Sequence, residues 1–329
     1  MALPTFSFET TAQEAASALK DQITGKNVLI TGTSVKSLGL EAARAIAPYA
    51  NLVVITGYNA ERLRLSQETL RTEFPKANIR TLTLDLSSLA SVRKAAAEVN
   101  AYSEPLHVLI NNAATMGSFY LTDDGFEIQA ATAQFGPFLF TKLLTPKLLA
   151  SATASYVPRV VYVSSVAHAM GITGIDWSKL RAGYPAEEAN KPDGIMKRYA
   201  EVKTMNMLTA LELSRRANGK LRAYSLHPGT IYTNAFDKEA LLPLFVQFGA
   251  ITEDFKPKEN PMFKWKTLPQ GAATTVIAAF DPRLDDKAGT YLVDGVPAPE
   301  QVAPHAADLG NAEKLWTLTE EIVGEKWEL

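Results

Sequence analysis

Asn27-Val28-Leu29-Ile30-Thr31-Gly32-Thr33-Ser34-Val35-Lys36-Ser37-Leu38-Gly39-Leu40-Glu41 is the stretch that decides how this chain folds. A short apolar run, Val28-Leu29-Ile30, passes through a glycine-containing turn into a segment of helical pattern. Continuous apolar runs of this kind mark strands covered on both faces. A turn between such a strand and a helix brings backbone N–H groups and the helix N-terminus to a point where a pyrophosphate can sit. A glycine-rich turn alone is a weak signal, and its place at the head of a strand–helix unit gives it weight.

Outward from that turn the pattern repeats. Leu52-Val53-Val54-Ile55, Ile79 to Leu84, Val108-Leu109-Ile110, Val160 to Val163 and Leu221 to Leu226 read as strands. Helical spacing fills segments between them, such as 60–73, 89–101 and 125–150. Such alternation implies an α/β protein with a parallel sheet and right-handed crossover helices on both faces. The spacing predicts one domain over 26–329, a Rossmann-type doubly wound sheet, preceded by an extension over 1–25. A last helix is expected over 270–279 and a last strand at Thr290-Tyr291-Leu292-Val293. Two stretches break the rhythm, 169–196 and 232–263, and loops this long in a compact domain are usually functional or disordered. Their apolar content, including Tyr232, Phe236, Phe245 and Phe248, favours lids over a substrate.

Composition narrows the function. The 329 residues are 47% hydrophobic and 21% charged with a formal charge of −2, which describes an ordinary globular protein. Near-neutral charge with no long basic run argues against a nucleic-acid partner. The absence of cysteine excludes disulfides and a thiolate nucleophile, and four scattered histidines make a metal site unexpected. Met1 to Lys20 lacks a continuous apolar core, so neither a signal peptide nor a membrane span is expected there, and a cytoplasmic location is.

Chemistry enters downstream. The strand ending in Ser164-Ser165 is followed by Tyr199 and Lys203, four residues apart and so on one helix face. A phenol loses its proton only at about pH 10, and a neighbouring ammonium would favour the phenolate. Period-two alternation says only that one of the two serines faces the cleft.

These segments together resemble the short-chain dehydrogenase/reductase family, and within it the retinol-dehydrogenase and WW-domain-oxidoreductase branch, particularly its fungal members. The matching segments are Thr31-Gly32…Leu38-Gly39, Asp85-Leu86, Asn111-Asn112-Ala113-Ala114, Ser164-Ser165-Val166-Ala167-His168, Tyr199-x-x-x-Lys203 and His227-Pro228-Gly229…Thr233, in the family's order. The resemblance implies that Tyr199 is the proton donor in reduction and that Lys203 lowers its pKa. It implies that Ser165 holds the substrate oxygen while charge develops on it, as hydride transfer to a carbonyl requires. Gly32, Ser34, Lys36, Ser37, Leu38 and Gly39 would line the pyrophosphate turn, with Tyr58 and Asn59 at the end of the second strand. Asp85 and Leu86 would face the adenine, and Asn112, Ala113 and Ala114 its ribose. Pro228, Gly229, Ile231 and Thr233 would hold the nicotinamide.

Cofactor choice follows from charge. NAD enzymes usually place a carboxylate at the end of the second strand, where it accepts from the ribose 2′-hydroxyl. Here that end reads Thr56-Gly57-Tyr58-Asn59, with Lys36 in the preceding turn and Arg62 close behind, which favours NADPH. The turn departs from the family pattern: it is one residue longer, and Ser37 stands at its middle glycine. A second departure is Ala133, where many members carry an asparagine that completes a proton relay; Gln134 should point about 100° away from that position. The expectation is an NADPH-dependent carbonyl reductase or alcohol dehydrogenase acting on a ketone or aldehyde of a fairly apolar molecule, such as a fungal secondary metabolite. Alternatives are an isomerase or cyclase on the same scaffold, or a nucleotide-binding interaction protein. A homodimer through the helices carrying Gly136 and Tyr199 is among the assemblies the resemblance implies.

Overall fold

A computed structural model describes residues 3–233, 236, 241–258 and 264–329. Its main sheet has eight strands: β1 Asn27–Ile30, β2 Leu52–Gly57, β3 Ile79–Thr83, β4 Val108–Asn111, β5 Arg159–Val163, β6 Arg222–His227, β9 Tyr291–Val293 and β10 Val296–Pro297. Their spatial order is β10-β9-β6-β5-β4-β1-β2-β3, and every pairing is parallel except β10 with β9. Strand β1 lies between β2 and β4, with Val28 opposite both Val53 and Val108. The order reverses at β1, so a crevice opens outside the carboxyl ends of β1 and β4, where ligands of such sheets bind. Two short strands, β7 Thr230–Ile231 and β8 Trp265–Lys266, pair in parallel outside the main sheet.

Eight longer helices cover the two faces: α1 Ala12–Ala18, α2 Leu38–Ile46, α3 Ala60–Glu73, α4 Leu89–Asn100, α5 Gly136–Leu149, α6 Pro192–Ala217, α7 Leu268–Phe280 and α8 Leu309–Val323. Alternation along β1 splits the core. Val28 and Ile30 pack with α1, α2 and α7, while Leu29 packs with α4, α5, α6 and α8. Residues before the sheet belong to the first of these cores: Phe6, Ala12, Ala15, Ala16 and Ile23 are all buried in it.

The single helix expected over 125–150 is interrupted. A helical turn over Ile128–Ala130 passes through a π-helical turn, Ala131–Phe135, into α5. Pro137 explains part of this, because the α-helical donor for the Ala133 carbonyl would be the amide that proline lacks. Asn206 of α6 supplies a replacement, its Nδ2 donating to the Ala133 carbonyl at 2.7 Å. Gly136 is required by close approach, since a Cβ there would sit 2.1 Å from the Leu86 carbonyl oxygen.

Helix α6 begins at Pro192, earlier than the insertion boundary read from the sequence, so the inserted loop ends at Lys191. Ile175 and Leu180 anchor that loop in the core. Of the second candidate lid, residues 234, 235, 237–240 and 259–263 lie outside the described residues. In the rest, Phe236 packs on Phe245 at 4.2 Å and on Trp265 at 5.5 Å. Helix α8 was not foreseen. Asp308 caps it by accepting from the Asn311 amide, and Gly324 ends it at φ 74°. It covers α5 and α6: Trp316 and Trp327 stack at 4.6 Å, and both meet Phe138 edge-on. Each such ring pair is worth about 1 kcal/mol beyond the area it buries. No helix among the described residues is long and apolar enough to cross a membrane.

Candidate active site

The turn after β1 solves its missing glycine one residue early. Ser37 has an ordinary φ of −106°, and Lys36 takes the left-handed conformation at φ 60°. Ser37 is thereby free to cap α2: its Oγ accepts from the Leu40 amide at 3.2 Å and donates to the Gly32 carbonyl at 3.3 Å. Gly32 also has positive φ, 71°, and a Cβ on it would come within 2.8 Å of Ala113. Leu38 and Gly39 open the first turn of α2, with Ser34 and the exposed Lys36 before it. First-turn amides and the helix dipole therefore point at this turn.

Thr31 ties β4 to the same turn. Its Oγ1 accepts from the amides of Asn112 and Ala113, each at 3.0 Å. The Asn112 side chain donates to the carbonyls of Thr31 and Gly32, which holds it against the turn. Asp85 and Asn59 are similarly occupied: Asp85 accepts from the Ser87 amide and hydroxyl, and Asn59 caps α3 through the Arg62 amide. Leu86 is buried and Ala114 is exposed. Tyr58 is 67% exposed, leaving the end of β2 open and without a carboxylate. Across the cleft, Pro228 is buried, Gly229 takes φ 100°, Ile231 packs against Gly271, and Thr233 is half-buried. Residues present thus fit a dinucleotide: a backbone-lined turn at a helix N-terminus, with no room for side chains at Gly32 and no acid at the end of β2.

Tyr199 and Lys203 project from α6 towards the end of β5. The structure separates the two serines. Ser164 turns inward and donates to the Lys203 carbonyl at 2.7 Å. Ser165 instead hydrogen-bonds the Tyr199 phenol and accepts from the Ala167 amide. Lys203 is buried, its Nζ donating to the Val163 carbonyl at 2.8 Å and lying 5.4 Å from the Tyr199 ring centroid.

Here the electrostatics differ from the sequence-based expectation. Burial pushes the Tyr199 phenol up to about 12, and the Ser165 hydrogen bond only partly opposes it. Burial also brings Lys203 down to about 8. Desolvation disfavours both charged forms, which outweighs the attraction expected between them. The phenol consequently keeps its proton throughout the neutral range.

The surrounding polar groups are absorbed by structure. His168 is buried and accepts from the Ala303 amide on Nε2, so Nδ1 carries the proton donated to the Ser165 carbonyl at 2.7 Å. His227 accepts from the Val166 amide, and burial together with the Lys266 charge takes its pKa down to about 4. Gln134 points away from the cleft, as expected, bonding Thr209 and Thr319. No cluster of metal-ligating side chains occurs among the described residues.

A doubly wound sheet with a dinucleotide turn at β1 and a Ser-Tyr-Lys constellation at β5 and α6 defines a nucleotide-linked oxidoreductase scaffold. Residues 26–176 match the description of the short chain dehydrogenase family. The chain is 36% identical over 303 residues to the short-chain dehydrogenase TIC 32 A, chloroplastic, of Brassica napus, covering 90% of this chain and 88% of that one. It is 35% identical to the short-chain dehydrogenase/reductase prx1 of Penicillium rubens, over 91% of this chain and 85% of that one. Human retinol dehydrogenase 12 is 32% identical, over 93% of this chain and 89% of that one. L-sorbose reductase from Gluconobacter frateurii, solved with NADPH and L-sorbose, superimposes with a TM-score of 0.61 at 17% identity, covering 83% of this chain and 96% of that one. The chain belongs to the short-chain dehydrogenase family.

Proposed function

We propose that this protein is an NADPH-dependent carbonyl reductase, acting on a ketone or aldehyde of a fairly apolar small molecule. The observation that carries the reading is the Ser165 hydroxyl bonded to the phenol of a half-buried Tyr199, one helical turn from Lys203. When bound, the nicotinamide supplies the hydride. Ser165 then holds the substrate oxygen, and Tyr199 delivers the proton that quenches the developing alkoxide. A phenol held at about 12 is protonated at neutral pH, as a donor in the reductive direction must be. Lys203 places its ammonium under the phenol from a fixed bond to the Val163 carbonyl.

NADPH is favoured over NADH by charge. The end of β2 offers no acid to repel a 2′-phosphate, and Lys36 stands exposed in the turn opposite. The packed aromatic residues of the second candidate lid, Tyr232, Phe236 and Phe245, suit an apolar substrate, with a fungal secondary metabolite as one class. A dimer of the kind the resemblance implies would meet Trp316 and Trp327 over Phe138 of α5, and Trp316 against Arg216 of α6. The reading is tested by titrating the purified protein with NADPH and with NADH, following nicotinamide fluorescence. Binding at least about tenfold tighter for NADPH is expected, a difference of about 1.4 kcal/mol. Equal affinity would remove the phosphate-specific part of the reading, and binding of neither would remove the reading itself.

A further inference from the structure

Arg198, the residue immediately before Tyr199, is 1% exposed, and nothing in the chemistry above uses it. Its guanidinium joins two loops at three points. One nitrogen pairs with the Glu127 carboxylate at 2.5 Å. The other donates to the Gly117 carbonyl at 2.8 Å and to the Ala189 carbonyl at 3.0 Å. Gly117 belongs to the loop that leaves β4 through Ala113 and Ala114, and Ala189 belongs to the inserted loop before α6. The same two loops meet again beside it, where the Phe119 amide donates to the Asn190 side chain at 2.7 Å and the Phe119 ring lies 5.7 Å from the guanidinium. Arg198 Nε has no acceptor among the described residues, so the group is spent on bridging rather than on full satisfaction of its donors.

A buried ion pair is weak as a source of stability, because desolvation of both charges offsets much of their attraction. What this one supplies is register: the planar fork fixes directions as well as distances. We infer that Arg198 is a positioning residue, which sets the loop after β4 and the inserted loop as two walls of the substrate mouth at fixed distances from the adjoining Tyr199. This inference rests on the reductase reading, because the purpose of the register is to present a carbonyl to the phenol. Small misplacements of reacting groups cost rate steeply.

The experiment compares Arg198→Met and Arg198→Lys with the unaltered chain. Phenanthrenequinone serves as probe carbonyl with NADPH, and hydrogen exchange is followed in segments 114–127 and 185–191. For Arg198→Met a fall in kcat of about tenfold or more is expected, with KM for NADPH within about twofold and faster exchange in both segments. Arg198→Lys keeps the charge but not the fork, and should recover part of kcat. Unchanged exchange in both segments would overturn the inference, as would a loss of rate matching only the loss of folded protein, with Lys no better than Met. Failure of the reductase reading looks different: the unaltered chain would turn over no carbonyl while the exchange difference persisted.

Discussion

Tyr199→Phe is expected to lower turnover by about 10²–10⁴-fold, the usual contribution of a positioned proton donor. The substitution removes one hydroxyl from a ring of α6 packed against the core. Shape is conserved, so melting temperature should change little and NADPH affinity should stay within about twofold. The rate loss should persist from pH 6 to pH 9, because a phenol held at about 12 does not titrate in that range. The comparison is steady-state kinetics with the probe carbonyl, alongside a fluorescence titration of cofactor for both proteins. Retained turnover would show that another group delivers the proton, and the role given to Tyr199 would fall.

Lys203→Met carries the second large effect, and it divides activity from stability. Activity should fall by at least about 10²-fold, since the ammonium beneath the phenol is lost. Stability should move the other way at neutral pH. Burial takes Lys203 from an ordinary 10.5 to about 8. At pH 7 the side chain is charged in both folded and unfolded chains, and the folded state bears the whole cost of burying the charge. That gap corresponds to about 3 kcal/mol, and loss of the hydrogen bond to the Val163 carbonyl returns about 1 kcal/mol of it. The variant should therefore melt higher at pH 7. Between pH 8 and 10.5 the unfolded chain binds a proton that the folded chain does not, so the unaltered protein gains stability as pH rises. The advantage of Lys203→Met should shrink across that window, vanish before pH 10.5 and leave the unaltered protein about 1 kcal/mol more stable there. Melting curves of both proteins at pH 7, 9 and 10.5 check this; a constant difference would mean that Lys203 is not the titrating group.

The sheet was legible because its signals are local. Val28-Leu29-Ile30 and Leu52-Val53-Val54-Ile55 announce buried strands without reference to anything distant, and both stand where expected. Tyr199 and Lys203 were equally legible, since their four-residue spacing is itself a statement about one helix face. What the sequence hid depends on partners far along the chain. Neither local period nor spacing says which of Ser164 and Ser165 faces the phenol, because the answer is a bond from Ser164 to the carbonyl of Lys203. The interruption near Ala133 has a local signal in Pro137, yet the group that takes the freed carbonyl is Asn206, 73 residues away. Arg198 looks like an ordinary helical surface residue until the loops after β4 and before α6 close over it. Electrostatics was the least legible part. The spacing of Tyr199 and Lys203 suggests attraction, whereas burial, which no spacing reveals, pushes both towards their neutral forms.

The central claim is that a carbonyl is reduced at Ser165 and Tyr199 at the expense of NADPH. The most direct test incubates the purified protein with NADPH and an excess of the probe carbonyl, following nicotinamide absorbance while the product is quantified by chromatography. The account predicts one NADPH consumed for each carbonyl reduced. Substrate transformed with no loss of NADPH would contradict it and point to isomerase or cyclase chemistry on the same scaffold.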